Sequence, residues 1–455
     1  MTRLVFQLEG VVDFSDVPWV AISLEEPSVF GSKARPFQCT GQEAPFVAFR
    51  QNVIPANTTK EVGVALFTAV TRHPELAQYL PTALQIQLPQ RYPVFVELAT
   101  GAGVEALPWE ALCSPGGEFL GLDERWAVGR IVDSPTIDRP FWHFRPPLRI
   151  AAVMSCLGVP AVDEWHAIRD AVMTVPEIEI ELLTVVSEPG LYTELSELAK
   201  AQRQWGESPH LRVEMMPQEQ SELQEMVRRF GPHLLHFFCH GSTEDGPHIQ
   251  LAVKSDWVVQ SPAHSLNIEA REFADFVRPT SDPPWLTVLN CCESAALGES
   301  DDLHSLALKL VYEVGLPAVV GMREPIASAD ASLFTDAFYR RLLKDLKERV
   351  LKRLGSDEPI DWAMLLVTAR SKLAKKHGRL LTQAASSTKE WTLPVVYMKR
   401  TPVTFQITPP QTRRARLEIE ALLGLLAKLP PSTPLELLED VESRLLSLTG
   451  QRVDQ

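Results

Sequence analysis

The chain has 455 residues, 45% of them hydrophobic and 22% charged, and its 44 Lys and Arg stand against 58 Asp and Glu for a formal net charge of −14. The composition is that of an ordinary folded protein, which excludes a fibrous or disordered chain, and the acidic balance without a long basic run argues against bulk nucleic-acid binding. The length has room for two or three domains, or for one large α/β domain with appendages.

Taken in order, residues 1–56 hold two β-like runs, Leu4-Val-Phe-Gln-Leu and Trp19-Val-Ala-Ile-Ser-Leu, separated by Gly, Asp and Pro. They read either as a small β-rich segment or as strands that extend the main sheet. The start lacks the uninterrupted apolar core of a signal peptide, and no later run reaches the about eighteen apolar residues a membrane span requires, so the expectation is a cytoplasmic protein with no transmembrane segment. From Thr59 the period turns helical through Val62, Ala65, Leu66 and Val70, with a second helix from Pro74 to Leu84. A strand over Tyr92–Leu98, the segments Leu107-Pro-Trp-Glu-Ala-Leu and Gly116-Gly-Glu-Phe-Leu-Gly-Leu, and a strand over Trp126–Val132 follow, before a Pro-rich connector from Pro135 to Pro147.

The chain then alternates. Strand Leu148–Met154 precedes helix Val162–Met173, strand Ile178–Val186 precedes helix Leu191–Trp205, and strand Leu211–Met215 precedes helix Glu219–Phe230. Short apolar strands separated by helices of this length imply βαβ units and a mostly parallel sheet covered on both faces. Two further strands stand out, His233-Leu-Leu-His-Phe-Phe-Cys-His240-Gly241 and Trp285-Leu-Thr-Val-Leu-Asn290-Cys291-Cys292-Glu293-Ser294. Between them lie an apolar run from His248 to Val253 and a helical stretch from Ile268 to Val277, enough for one right-handed crossover. That topology makes the two strands parallel and brings their C-terminal tips to one sheet edge, the edge at which open α/β sheets bind ligands.

Beyond them come a helix from Asp302 to Val314, a strand over Pro317–Met322, and an amphipathic helix with Phe334, Ala337, Phe338 and Leu342 on one face. A helix from Ile360 to Lys375, a Ser/Thr-rich loop near Ser386 and a strand over Leu393–Met398 follow. The tail 401–455 offers two amphipathic helices, Thr412–Leu429 and Pro434–Leu448, whose seam of Leu417, Ile419, Leu422, Leu423 and Leu426 packs on the body or takes a partner.

The two tips carry the residue types of thiol chemistry. A thiol is mostly protonated at neutral pH and needs a nearby base, and an imidazole supplies one and later protonates a leaving amine. Gly241 permits close approach to its amide, and the amide of Cys292 at a strand-to-helix turn is a second donor for an oxyanion. Periodicity alone leaves open which of Cys291 and Cys292 faces the histidine, because neighbouring strand residues point to opposite faces. The alternative chemistry is a metal site of His236, Cys239, His240, Cys291 and Cys292, but its HxxCH and CC spacings match no common zinc pattern, so no metal is expected. The six cysteines, at 39, 113, 156, 239, 291 and 292, show no CxxC pair, which argues against a disulfide framework.

A strand ending in His-Gly, followed some fifty residues on by one ending in Leu-Asn-x-Cys-Glu-Ser, resembles the CHAT family of caspase-like (clan CD) cysteine peptidases, relatives of caspases and separase. Leu107-Pro-Trp-Glu-Ala-Leu with Phe119-Leu-Gly-Leu resembles the family's opening segment, and Gly315-Leu-Pro-Ala-Val-Val-Gly-Met-Arg-Glu-Pro-Ile its closing half. The resemblance spans roughly 60 to 400 and implies a caspase-like three-layer α/β sandwich over 57–400, with a pseudo-half at 57–147 and a catalytic half at 148–400. It implies His240 as general base and Cys292 as nucleophile, since Asn-x-Cys puts Cys291 in the variable position, with Gly241 and Cys292 as the oxyanion hole. Glu244, Asp245, Asp301, Asp302, Arg323 and Glu324 lie near the expected cleft as candidate substrate-pocket residues. The implied activity is cysteine endopeptidase, acting without metal or organic cofactor on a protein substrate. The implied setting is a prokaryotic immune, antiviral-defence or programmed-death system with a separate sensor or activator. A non-catalytic interaction module on the same fold is the competing expectation.

Overall fold

In the computed structural model the described residues are 3–12, 18–28, 33–98, 104–136, 142–144, 146–205, 209–243, 246–277, 283–291, 305–352, 359–376, 378, 380–407 and the isolated positions 422, 438, 440, 441 and 444. The strands in chain order are β1 (Leu4–Val12), β2 (Pro18–Glu26), β3 (Arg35–Pro36), β4 (Val94–Leu98), β5 (Val128–Val132), β6 (Trp142–Phe144), β7 (Leu148–Ser155) and β8 (Ile180–Val186). They continue as β9 (His210–Met215), β10 (Leu234–Ser242), β11 (His248–Leu251), β12 (Leu266–Glu269), β13 (Leu286–Cys291), β14 (Ala318–Met322), β15 (Pro394–Lys399) and β16 (Phe405–Ile407). The helices are α1 (Ala44–Phe49), α2 (Thr58–Val70), α3 (Pro74–Ala83), α4 (Val162–Val172), α5 (Pro189–Trp205), α6 (Gln220–Phe230), α7 (Lys254–Val259), α8 (Ala270–Val277), α9 (Leu306–Lys309), α10 (Ser328–Lys352), α11 (Trp362–Lys376) and α12 (Leu381–Ser387).

One sheet takes the order β3-β2-β1-β4-β5-β15-β14-β13-β10-β7-β8-β9. From β14 to β9 every neighbouring pair is parallel. β15 runs antiparallel to β14 but parallel to β5, and β5, β4 and β1 continue in that direction. Apart from β2 and β3, which pair antiparallel at the β1 edge, this path is two parallel blocks of opposite sense joined at the β14–β15 seam. β1 pairs with β4, so the N-terminal strands extend the main sheet.

Strand residues alternate between two cores. Ala152, Met154, Phe238 and Val288 pack in the core that holds α4, α5, α10 and α11, while Val153, Phe237, Cys239, Leu289 and Cys291 pack in the core that holds α2, α6, α8 and α9. A strand buried on both faces has no polar alternation, which is why these segments read as continuous apolar runs. The result is the expected α/β three-layer sandwich, with a mostly parallel central sheet flanked by helices.

Three local expectations need correction. The helix expected over Ile268–Val277 begins only at Ala270, because Leu266–Glu269 forms β12 against β11. The loop near Ser386 is α12: Ala384 and Ala385 are buried, and Ser386 Oγ donates to the carbonyl of Thr382 (2.7 Å), so the hydroxyl is satisfied within the helix. The Pro-rich connector contains β6, held parallel to β16. Asp302 and, apart from positions 422, 438, 440, 441 and 444, the two expected tail helices lie outside the described residues, and helix α9 starts after Ser305, whose Oγ accepts from the amide of Leu308 (3.2 Å). Among the described residues no helix is long and apolar enough to cross a membrane.

Candidate active site

The site is built where three neighbouring parallel strands end. Ser155 of β7, Cys239 of β10 and Cys291 of β13 lie in register across the sheet. One residue further along, β10 leaves the main sheet. His240, Gly241 and Ser242 pair instead with Gln250, Ile249 and His248 of β11, so His240 stands at the point where the strand parts from its neighbours. The β11–α7–β12 excursion is pinned by the wholly buried Asp256, which accepts from the amides of Val253 (3.0 Å) and His264 (2.8 Å) and from Ser265 Oγ (2.9 Å). Ser155 Oγ donates to the carbonyl of Ala252 (2.6 Å), fastening the excursion to the tip of β7.

His240 is half-buried, and its Nε2 donates to the main-chain carbonyl of Leu157 at 2.8 Å. A carbonyl oxygen can only accept, so this contact requires the proton on Nε2 and leaves the lone pair on Nδ1. Cys156 Sγ lies 3.5 Å from the same nitrogen. Both contacts come from the residues that follow β7. Neither Cys156 nor Leu157 stood out in the sequence, although Cys156 ends an apolar strand just as His240 does.

The other sequence-selected residues fall into separate places. Cys291 is buried in the same core as Cys239 and Leu289, on the sheet face opposite Phe238. Cys292, Glu244, Asp245, Asp301 and Asp302 lie outside the described residues. Gly241 lies in the β10–β11 ladder opposite Ile249. Arg323 and Glu324 follow β14, two strands from β10 along the same edge. The Arg323 guanidinium donates to the carbonyl of Ala106 and to Glu324, both at 3.4 Å, and lies 5.5 Å over the ring of Phe49. Glu324 also takes the ammonium of Lys389 at 2.5 Å.

His233 sits at the other end of β10, stacked on Trp285 at 4.3 Å, and its Nδ1 accepts from the amide of Arg149 (3.0 Å). Burial, reinforced by the charge of Arg149, pushes its pKa down to about 3, so this imidazole is neutral. His236, fully buried midway along β10, faces a carboxylate, Glu164, 2.9 Å away.

Fold and edge together describe an α/β protein with a half-buried imidazole at the C-terminal edge of a parallel block. The chain belongs to the CHAT domain family, whose sequence model matches residues 60–354. It is similar to a probable protease of Vitiosangium sp. (strain GDMCC 1.1324), 26% identical over 211 residues that make up 45% of this chain and 25% of that relative. The match thus spans about a quarter of the relative's length. Two structures of the Saccharomyces cerevisiae separase–securin complex align with 75% of this chain and with 18% and 17% of theirs, at 13% and 12% identity and a TM-score of 0.34 in each case.

Proposed function

We propose that the chain is a cysteine endopeptidase that cleaves a protein substrate, with His240 as general base and Cys292 as nucleophile. The observation that carries the reading is the hydrogen bond from His240 Nε2 to the Leu157 carbonyl, which fixes the tautomer a thiol base needs. Cys291 is buried in the opposite core with Cys239, which favours its chain neighbour for the reaction. In the proposed reaction Nδ1 of His240 takes the thiol proton, and the Cys292 thiolate adds to the scissile carbonyl carbon. The oxyanion is met by the amides of Gly241 and Cys292. The imidazolium protonates the departing amine, and water, deprotonated by His240, then hydrolyses the thioester to release the acid and restore the thiol. No metal or organic cofactor enters these steps.

We assign the catalytic half to 148–400 and the pseudo-half to 57–147, with Arg323 and Glu324 as the described candidates for the substrate pocket. A cytoplasmic role in prokaryotic immunity, antiviral defence or programmed death, released by a separate sensor, is the setting we propose from the family. The test is cleavage of proteins encoded beside this one, together with labelling by a thiol-reactive peptide. Wild type is expected to cut and to label at Cys292, His240→Ala and Cys292→Ala to do neither, and Cys291→Ala to behave as wild type. Loss of cleavage in Cys291→Ala with retention in Cys292→Ala overturns the nucleophile assignment.

A further inference from the structure

Directly along the strand face that carries His240 lies a buried polar cluster built on one carboxylate. Glu164 occupies the first turn of α4 and is wholly inaccessible to solvent. Its Oε1 accepts from Thr335 Oγ1 of α10 (2.6 Å) and from Asn290 Nδ2 of β13 (2.8 Å). The same oxygen lies 2.9 Å from His236 Nε2 of β10, close to it but without hydrogen-bond geometry. Asn290 Nδ2 also donates to Thr335 Oγ1 (3.0 Å) and to the carbonyl of Ala331 (3.2 Å).

We infer that Glu164 is a positioning residue, acting through Asn290 and Thr335, that aligns the strand tips bearing the His240–Cys292 dyad. The inference rests on the dyad reading above.

Two geometric facts support it. First, the carboxylate touches β10, which carries His240, and β13, which precedes Cys292 in the chain. Asn290 is two residues before Cys292 in the chain, His236 is four before His240, and Asn290 stands opposite Phe238 in the β10–β13 register. At the strand period of two, His236, Phe238 and His240 share a face. Second, Glu164 belongs to the helix entered directly from the Cys156–Ala161 segment, whose Leu157 carbonyl orients His240. One side chain therefore ties the element that orients the base to the strand that leads to the nucleophile.

Stability alone is a poor reason for this arrangement. A carboxylate costs several kcal/mol to desolvate, so an apolar residue of similar volume serves a core as well or better. Nor is the cluster closed. Glu164 Oε2, Asn290 Oδ1 and Tyr339 Oη, all buried, have no protein partner among the described residues. Burial pushes the Glu164 carboxyl up, but the contacts from His236, Thr335 and Asn290 outweigh it and hold the group below the ordinary carboxylate range. The cluster therefore keeps an anion in place against its desolvation, where the only described groups it organises lie on the dyad strands and the two helices beside them.

The test uses the full chain, with Glu164→Gln, Thr335→Val and Thr335→Ser. It reads kcat and KM on a cleaved peptide, and the pH dependence of iodoacetamide alkylation at Cys292, followed by peptide mapping. In Glu164→Gln the amide oxygen can still accept from Asn290 and Thr335, but the negative charge is lost and an NH2 donor takes the place of Oε2. In Thr335→Val one hydroxyl becomes a methyl. Both are expected to lower kcat about ten- to a hundredfold at nearly unchanged KM, the penalty of misplacing reacting groups. Both should also move the alkylation midpoint up relative to wild type. Thr335→Ser restores the hydroxyl and is expected within about twofold of wild type, a margin below the smallest misalignment effect considered. If Thr335→Val folds yet keeps the wild-type kcat, KM and alkylation midpoint, the cluster is structural and the inference fails, whether or not Glu164→Gln folds. If wild-type Cys292 neither alkylates faster than the buried Cys291 nor supports cleavage, the dyad reading itself falls and takes the inference with it.

Discussion

Among the described residues, two of the buried charge clusters on the sheet differ in how their partners are arranged. One strand away from the β14–β15 seam, Arg130 of β5 and Glu110 are both wholly buried, and every guanidinium proton has a partner. Nε and Nη2 reach the two oxygens of Glu110 (3.0 and 2.9 Å), Nη1 reaches the carbonyl of Glu105 (2.6 Å) and Tyr397 Oη of β15 (3.2 Å), and Nη2 also reaches the carbonyl of Leu107 (3.1 Å). Beneath His240, by contrast, Glu164 gathers its partners on one oxygen and leaves the other without a protein partner. A bidentate, fully matched pair locks rigid elements together, here the 104–112 segment, β5 and β15. An incomplete cluster joining two strand tips to two helices is suited to holding alignment.

The largest effect is expected from removing half of the Arg130–Glu110 pair. Arg130→Ala or Glu110→Ala leaves an uncompensated buried charge and is expected to cost about 3–5 kcal/mol in equilibrium urea unfolding. The double replacement Arg130→Met with Glu110→Leu is expected to cost less than either single variant, since it removes the desolvation cost along with the pair, although the carbonyl of Glu105 loses a donor. A single variant costing under about 1 kcal/mol would mean that water reaches the pair. The pH dependence has a definite sign. Burial raises the Glu110 carboxyl, but the charge and hydrogen bonds of Arg130 more than reverse this, so its folded pKa lies below the ordinary value. A depressed carboxyl stabilises the fold above its unfolded pKa of about 4.3 and loses that contribution as the pH falls through the folded value. The double variant should accordingly show a shallower loss of stability on acidification below about pH 4.3 than wild type.

A smaller effect is expected at Gly121. A Cβ added there would lie 2.3 Å from the carbonyl oxygen of Glu110, which is main chain and cannot turn aside. Gly121→Ala is expected to shift the segment carrying Glu110 and to destabilise by about 1–3 kcal/mol, the usual cost of overpacking. On the folded fraction, alkylation of Cys292 should be unchanged. A changed alkylation profile would show that the pair and the site are mechanically coupled, and the contrast drawn above would go.

What the sequence revealed follows the same division. The runs ending at Ser155, Cys239 and Cys291 were legible as strands because burial on both faces leaves them apolar throughout, and His240 was legible because it ends such a run beside a glycine. The neighbour order was not legible: β7 and β10 are adjacent in the sheet although β8 and β9 lie between them in the chain, so Cys156 could not be placed beside His240. The Leu157 contact is main chain and has no side-chain signature. Glu164 follows Asp163 in a helical first turn, where acids are favoured by the helix dipole and usually solvated, yet Asp163 is exposed and Glu164 wholly buried. Arg130 did carry a signal, a charge inside the apolar strand Val128-Gly-Arg-Ile-Val, since a charge there must find an acid. Long-range pairings such as that of β15 with β5, over more than two hundred and fifty residues, leave no local trace.

The smallest expected effect is at Cys156, and it tests whether contact with the base is the same as serving it. Its Sγ lies 3.5 Å from His240 Nε2, while the Leu157 carbonyl lies at 2.8 Å on the same nitrogen. One ring proton cannot serve both acceptors well, and a thiol sulfur is the weaker of the two. The tautomer should therefore be set by the main chain, which no side-chain substitution removes. Cys156→Ala deletes a small buried group, with a stability cost of about 1 kcal/mol. Its kcat/KM should stay within about threefold of wild type, a change of under about 0.7 kcal/mol in transition-state stabilisation. A loss of a hundredfold or more, with kcat falling and KM unchanged, would place the thiol in the proton path and make the site a three-tip arrangement of β7, β10 and β13, in which side chains rather than the main chain orient the base.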